Sequence, residues 1–159
     1  MGDGRIFFVG NTMIDTLLCT LHRLQPPSFW QEAGLTAGGY LVMTLHRPVN
    51  VDDAAGFARL LAAVQDGAGS MPEVFTVHPR TAKTLAALPA RPAGLIVVDP
   101  QPYLEFNYLG RHACGVITDS GGVTEETTAS PTSGTARQGS ASRSSLSTCS
   151  VPLSAAIDS

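Results

Sequence analysis

Along this chain, short unbroken apolar runs alternate with stretches in which apolar residues recur every three or four positions. The runs Ile6–Val9, Tyr40–Leu45, Val74–Val77, Leu95–Val98 and Gly115–Ile117 read as strands. Unbroken apolarity, rather than alternation, is what a strand covered on both faces of a parallel sheet requires. Between them the period lengthens to that of a helix. Gly10-Asn11-Thr12 reads as a turn and cap for a helix through Met13 and Leu18, stopped by Pro26-Pro27. Phe57, Leu60, Leu61 and Val64 place a helix over Ala54–Val64, with Asp52 or Asp53 as its cap. Thr81–Leu88 is a third helix, ended by Pro89 and Pro92, and Tyr103–Leu109 a fourth, closed by Gly110. Residues 28–39 are a polar connector ending in Gly38-Gly39. Strands and helices alternating across short loops predict an α/β fold with a parallel, doubly wound sheet. The pattern stops near Thr128. Residues 129–159 are dominated by Ser, Thr, Ala and Gly without a sustained period, and are expected to be a low-complexity tail, disordered or the product of a shifted reading frame.

In doubly wound sheets ligands lie beyond the carboxyl ends of the strands. Three predicted strand ends carry polar clusters: His46-Arg47, His78-Pro79-Arg80 and Asp119-Ser120-Gly121-Gly122. The last opens a helix. A hydroxyl and two glycines at a strand-to-helix turn leave backbone N–H groups uncovered beside the positive end of the helix dipole, and glycine admits a phosphate close to the backbone. Glu125 and Glu126, a turn or so further on, can offer a carboxylate to sugar hydroxyls. The stretch Thr118–Glu126 thus fits a grip on a diphosphate and a ribose, but an ordinary glycine-bearing loop with exposed acids has the same letters.

Size and charge narrow the classes. The 159 residues fit one domain with a real core, and 10 basic against 13 acidic residues give no electrostatic case for nucleic acid or an anionic membrane. No apolar run approaches the ~20 residues of a membrane span, and the start, Met1–Arg5, lacks the n-region and cleavage site expected of a signal peptide. Three cysteines without a CxxC spacing argue against a disulfide framework or a zinc site, and a reducing cytoplasm fits.

Five pieces carry a family resemblance: Val9–Asp15, Thr44–Asn50, Val77–Thr81, Asp99–Phe106 with Leu109, and Thr118–Glu126. In this order and spacing, over about residues 6–127, the chain resembles the C-terminal half of a non-hydrolysing UDP-N-acetylglucosamine 2-epimerase. The resemblance implies one Rossmann-like half of a two-domain, glycosyltransferase-B type fold with its active site between the halves. It implies interconversion of UDP-GlcNAc and UDP-ManNAc by elimination of UDP to a glycal and re-addition with C2 inverted, with no cofactor and no metal. It further implies that Ser120, Gly121 and Gly122 hold the diphosphate and Glu126 the ribose hydroxyls. Gln101 and Phe106 would hold the uridine, Phe106 through its backbone, and His46 would be catalytic near the diphosphate. Members of the family form homodimers.

Plainer roles stand beside these. Phe106, at helical spacing with Tyr103 and Leu109, fits a core position, and His46 fits a loop or cap. His78 before Pro79 is structural or ligand-facing, and Arg47 is a phosphate partner or a salt-bridged arginine. Asp119 is expected to orient its turn and Glu125 to face solvent; His22, His112 and the cysteines are left as ordinary residues. A UDP-binding module, or half of a glycosyltransferase of the same architecture, would share the diphosphate grip. The chain also departs from the family pattern. The amino-terminal half, which would bring the carboxylates that move the C2 proton, is not expected here. Val49 stands where the His-Arg-Pro loop usually has glutamate, and nothing around Arg143 matches the later Thr-Glu-Arg-Pro segment.

Overall fold

The computed structural model describes residues 10–129 and 151–152; the strand expected at Ile6–Val9 and most of the expected tail lie outside them. The sheet is built from β1 (Leu41–Thr44), β2 (Glu73–Thr76), β3 (Leu95–Val98), β4 (Gly115–Thr118) and the two-residue β5 (Val151–Pro152). The order is β3-β2-β1-β4-β5 and every pairing is parallel. Met43 is level with Phe75 on one side and Ile117 on the other, and Thr44 is level with Thr118. The sheet grows outward from β1 in one direction through β2 and β3, then crosses to the other side for β4.

Side chains along the central strands alternate between two cores, which is why the strand runs are apolar throughout. Met43 and Phe75 join Leu45, Phe57, Leu61 and Leu85 on one face. Val42 and Val74 join Tyr40, Leu109 and Val116 on the other, where Trp30 also packs. The first core is roofed by α3 (Ala54–Ala68) and α4 (Pro79–Ala87). The second is closed by α5 (Tyr103–His112) and the 28–39 connector, whose Trp30 meets Tyr40 edge-on at 5.3 Å between ring centres. The Tyr40 hydroxyl donates to the Leu109 carbonyl at 2.7 Å, so this deeply buried phenol has its polar end satisfied. Truncating the fully buried Phe57 to alanine would remove ~3–5 kcal/mol of stability.

Local chemistry explains the helix ends. Asn11 caps α1 (Thr12–Thr20), its side-chain oxygen accepting from the Met13 and Ile14 amides. Asp53 caps α3 through the Ala55 and Gly56 amides, while Asp52 instead pairs with Arg80. The third predicted helix begins earlier than expected, at Pro79, because proline's fixed φ suits a first turn and His78 serves as cap. The fourth does not close at Gly110. Gly110 is buried inside α5, where a Cβ would make ordinary contact at 3.9 Å with Val116 and Thr127, so the residue is part of the packed helix and not a turn. Within the expected tail, 151–152 lie parallel beside Ile117 and Thr118. An open sheet edge offers unpaired donors and acceptors to any backbone, which side-chain periodicity does not foretell. No described helix is long and apolar enough to cross a membrane.

Candidate functional site

Adjacent strands set the site. β1 and β4 are neighbours in register, so the residues just past their ends face each other. Asp119, immediately after β4, therefore reaches the loop after β1. Its carboxylate accepts from the Arg47 amide at 2.8 Å, the Asn50 side chain at 3.0 Å and the His46 amide at 3.1 Å. Its Oδ1 also stands 2.8 Å from Nδ1 of the His46 ring, and the Asp119 side chain is only 2% exposed. Burial by itself would raise the Asp119 pKa; the hydrogen bonds from Asn50, Arg47 and His46, with the nearby imidazole, outweigh it and hold the carboxyl below the usual range. The sequence expectation that Asp119 orients its own turn is too narrow: the carboxylate fastens two loops together, holding the amide of Arg47 just before the short helix α2 (Pro48–Val51) and the side chain of Asn50 within it.

Beyond these ends lies a cleft of about 290 Å³ whose lining includes Thr44, His46, Thr76, His78, Gln101, Phe106 and Ser120. Four of the predicted site residues, His46, Gln101, Phe106 and Ser120, thus share one cavity. Thr44 and Thr76, strand-end hydroxyls not singled out in the sequence, join them. His78 lines it too while capping α4: its Nδ1 accepts from the Arg80 amide at 3.3 Å, which leaves the neutral ring its proton on Nε2. Arg80 is turned to the exposed Asp52, holding it through Nε at 2.9 Å and Nη2 at 2.6 Å. Gln101 stands between this cleft and a second cavity of about 430 Å³ that runs past Asp99, Arg91 and Phe29.

Ser120 precedes α6 (Gly121–Ala129), and its carbonyl accepts the amide of Thr124 at 3.1 Å as the helix begins. The amides of Gly121, Gly122 and Val123 precede the first position that can bond within the helix, so they are the donors an anion would meet. A Cβ on Gly121 would meet nothing within 4 Å, whereas one on Gly122 would lie 3.3 Å from the Met13 methyl. Glu126 is not in the cleft. It lines a narrow crevice behind the shared walls Phe106 and Val123, and its Oε1 accepts from the Tyr103 hydroxyl at 3.2 Å. Glu125 is exposed as expected, but it also accepts from the Asn11 side chain at 2.8 Å, linking α6 to the cap of α1. Val49 projects from α2 with 84% of its surface exposed. Among the described residues no three His, Cys, Asp or Glu side chains gather as metal ligands. The arrangement offers imidazoles, hydroxyls, a carboxamide and a helix N-terminus, a set suited to an anionic, oxygen-rich ligand.

Comparison with known proteins agrees with that chemistry. The family model described as UDP-N-acetylglucosamine 2-epimerase matches residues 1–133. The chain is 32% identical over 136 residues to a UDP-N-acetylglucosamine 2-epimerase of Yersinia pestis, covering 78% of this chain and 36% of that protein. It is 33% identical over 124 residues to a UDP-2,3-diacetamido-2,3-dideoxy-D-glucuronate 2-epimerase of Pseudomonas aeruginosa, covering 77% and 33%. The crystal structure of Methanocaldococcus jannaschii UDP-GlcNAc 2-epimerase in complex with UDP-GlcNAc and UDP superposes with a TM-score of 0.65 at 29% identity, covering 79% of this chain and 37% of that one. The chain therefore spans about a third of the length of the relatives it matches.

Proposed function

The chain belongs to the UDP-N-acetylglucosamine 2-epimerase family, and from that premise we propose that its cleft is the UDP grip of such an enzyme. The observation that carries the reading is the meeting of His46, Gln101, Phe106 and Ser120 in one cavity at the start of α6. In this reading Ser120 and the Gly121 and Gly122 amides take the diphosphate, and Gln101 and Phe106 the uridine. Glu126 takes the ribose hydroxyls from the far side of Phe106. His46 faces the diphosphate. Charge that develops on UDP as the C1–O bond breaks is met by donors already in place, which is where such a site gains rate.

The substrate pair is UDP-GlcNAc and UDP-ManNAc, interconverted by loss and re-addition of UDP. The Pseudomonas relative is named for a different sugar, so UDP is the shared part and the sugar is selected elsewhere. Among the described residues no carboxylate lines the cleft, so the groups that move the C2 proton are not supplied from this wall. That observation favours a second reading, in which this chain alone binds UDP without epimerising its sugar. Cys19 and Cys114 are free thiols, which accords with a cytoplasmic setting, and self-association into a homodimer belongs to the same proposal.

Calorimetric titration of UDP into residues 1–159 tests the grip, with Ser120→Ala/Glu126→Ala as control. Saturable binding lost in the double variant is the expected result. A native circular dichroism spectrum without UDP binding would overturn the proposal. Turnover of UDP-GlcNAc by the chain alone would reject the binding-only reading.

A further inference from the structure

We infer that Asp119 is a positioning residue that fixes the tautomer of His46, so that Nε2 is the ring nitrogen free to exchange its proton with the cleft. Donors and acceptors decide this. An ionised carboxylate can only accept, and Oδ1 of Asp119 lies 2.8 Å from Nδ1 of His46, so Nδ1 carries a proton. The neutral ring then presents a bare Nε2, the reverse of the tautomer that free histidine favours.

The carboxylate cannot readily turn away from this task. Its Oδ2 is held by the Arg47 amide at 2.8 Å and the Asn50 side chain at 3.0 Å, and both oxygens lie 3.1 Å from the His46 amide. One buried group therefore grips both the backbone and the ring of the same histidine. The exposures divide the labour, with Asp119 at 2% and the His46 ring at 47%. The Nδ1 proton is shut away against Asp119, which leaves Nε2 as the nitrogen without that partner on a ring that lines the cleft. His78, on the same cleft, is set the opposite way, because its Nδ1 accepts from the Arg80 amide. Two imidazoles of one cavity are thereby differentiated: His78 is a fixed Nε2–H donor, and His46 gains a donor there only on taking up a second proton. Resting on the proposed function for the identity of the ligand, that second proton is the one turned toward the diphosphate.

The test is nitrogen NMR of the 15N-histidine-labelled full chain, without ligand, above the titration of the imidazoles. His46→Gln identifies which of the four histidine spin systems is lost. Expected is a protonated-type shift for Nδ1 of His46 and an unprotonated-type shift for Nε2; the reverse pattern overturns the inference. Asp119→Asn sharpens it. The amide oxygen is drawn to the side crowded with Arg47 and Asn50 donors, which leaves the amide NH2 facing Nδ1 and forces the proton onto Nε2. Inversion of the two shifts is expected, and an unchanged tautomer in this variant would remove Asp119 as the cause. If the variant loses the near-ultraviolet signal of Trp30, and with it the fold, the parent spectrum alone decides. Added UDP is expected to move the Nε2 resonance. A parent with the expected tautomer but no response to UDP would leave the inference standing and reject the proposed ligand.

Discussion

Gly121→Ala separates what the start of α6 does for the fold from what it does for a ligand. For the fold the substitution is harmless. Gly121 is exposed, an added Cβ meets nothing within 4 Å, and Gly121 is not among the residues with positive φ. Alanine also narrows the unfolded ensemble, so stability should rise by ~0.4–1 kcal/mol, about 1–4 °C in Tm for a chain of this size. For a diphosphate seated against the first turn the same methyl is an obstruction. Losing one amide-to-phosphate hydrogen bond costs ~1.5–3 kcal/mol, which is about ten- to 150-fold in Kd. The signature is thus a higher Tm with a weaker UDP titration, a combination that general damage to the fold does not produce. UDP affinity within about twofold of the parent, together with a raised Tm, would refute the close approach of phosphate to this turn. Gly122→Ala is the comparison: its Cβ would press at 3.3 Å on the end of Met13, a side chain that is 39% exposed and free to move, so the fold should absorb that change also.

Two other perturbations test the site and the sheet. Tyr103 donates to Glu126 at 3.2 Å and so aims its carboxylate; Tyr103→Phe should weaken UDP about two- to tenfold while leaving 2′,3′-dideoxy-UDP unchanged, and an equal loss for both nucleotides would separate Tyr103 from ribose recognition. Glu73, the first residue of β2, is only 4% exposed, and burial pushes its carboxyl above the ordinary range. Its charged form is therefore disfavoured in the fold relative to the unfolded chain, so the contribution of Glu73 to stability is greatest below the unfolded pKa of ~4.3 and is lost as pH rises through the higher folded value. Glu73→Gln should raise the urea midpoint at pH ~7 and lose that advantage near pH ~4; a gain independent of pH would show that the charge is not its source.

The four main strands were legible because each is covered on both faces, and burial on two faces leaves an unbroken apolar run. Strand-end chemistry was legible for a related reason, since polar clusters directly after such runs stand out. What the letters do not carry is which strand ends are neighbours. Asp119 and the His46 amide are 73 residues apart along the chain, and their contact follows from the crossover that places β4 beside β1. For the same reason Glu126 reads as part of the Ser120 turn, yet the helix carries it behind Phe106. His78 shows a further limit: histidine is outside the usual set of caps, and only the following proline marks the start of α4. The short pairing of 151–152 has no side-chain signature at all.

The place of the cleft is a property of the strand order, and its chemistry a property of a few residues set upon it. Connections from β1 lead one way to β2 and β3, and the return to β4 leads the other, so the carboxyl ends of these four strands open onto one crevice. A crevice of this kind would accept many ligands. This one is lined by two imidazoles, three hydroxyl residues and a carboxamide, beside a helix N-terminus. The net charge of −3 does not oppose an anion there, because exposed charges more than ~8 Å away are largely screened at physiological salt. Asp119, the carboxylate against His46, has its oxygens committed to N–H donors and is buried, so its charge is already matched before a ligand arrives. Asp119 thus ties the loops after β1 and β4 together and selects which ring nitrogen of His46 carries the proton, while adding little repulsion toward the proposed diphosphate. Overall charge therefore argues against extended polyanions as partners, and the local set of donors argues for a small one.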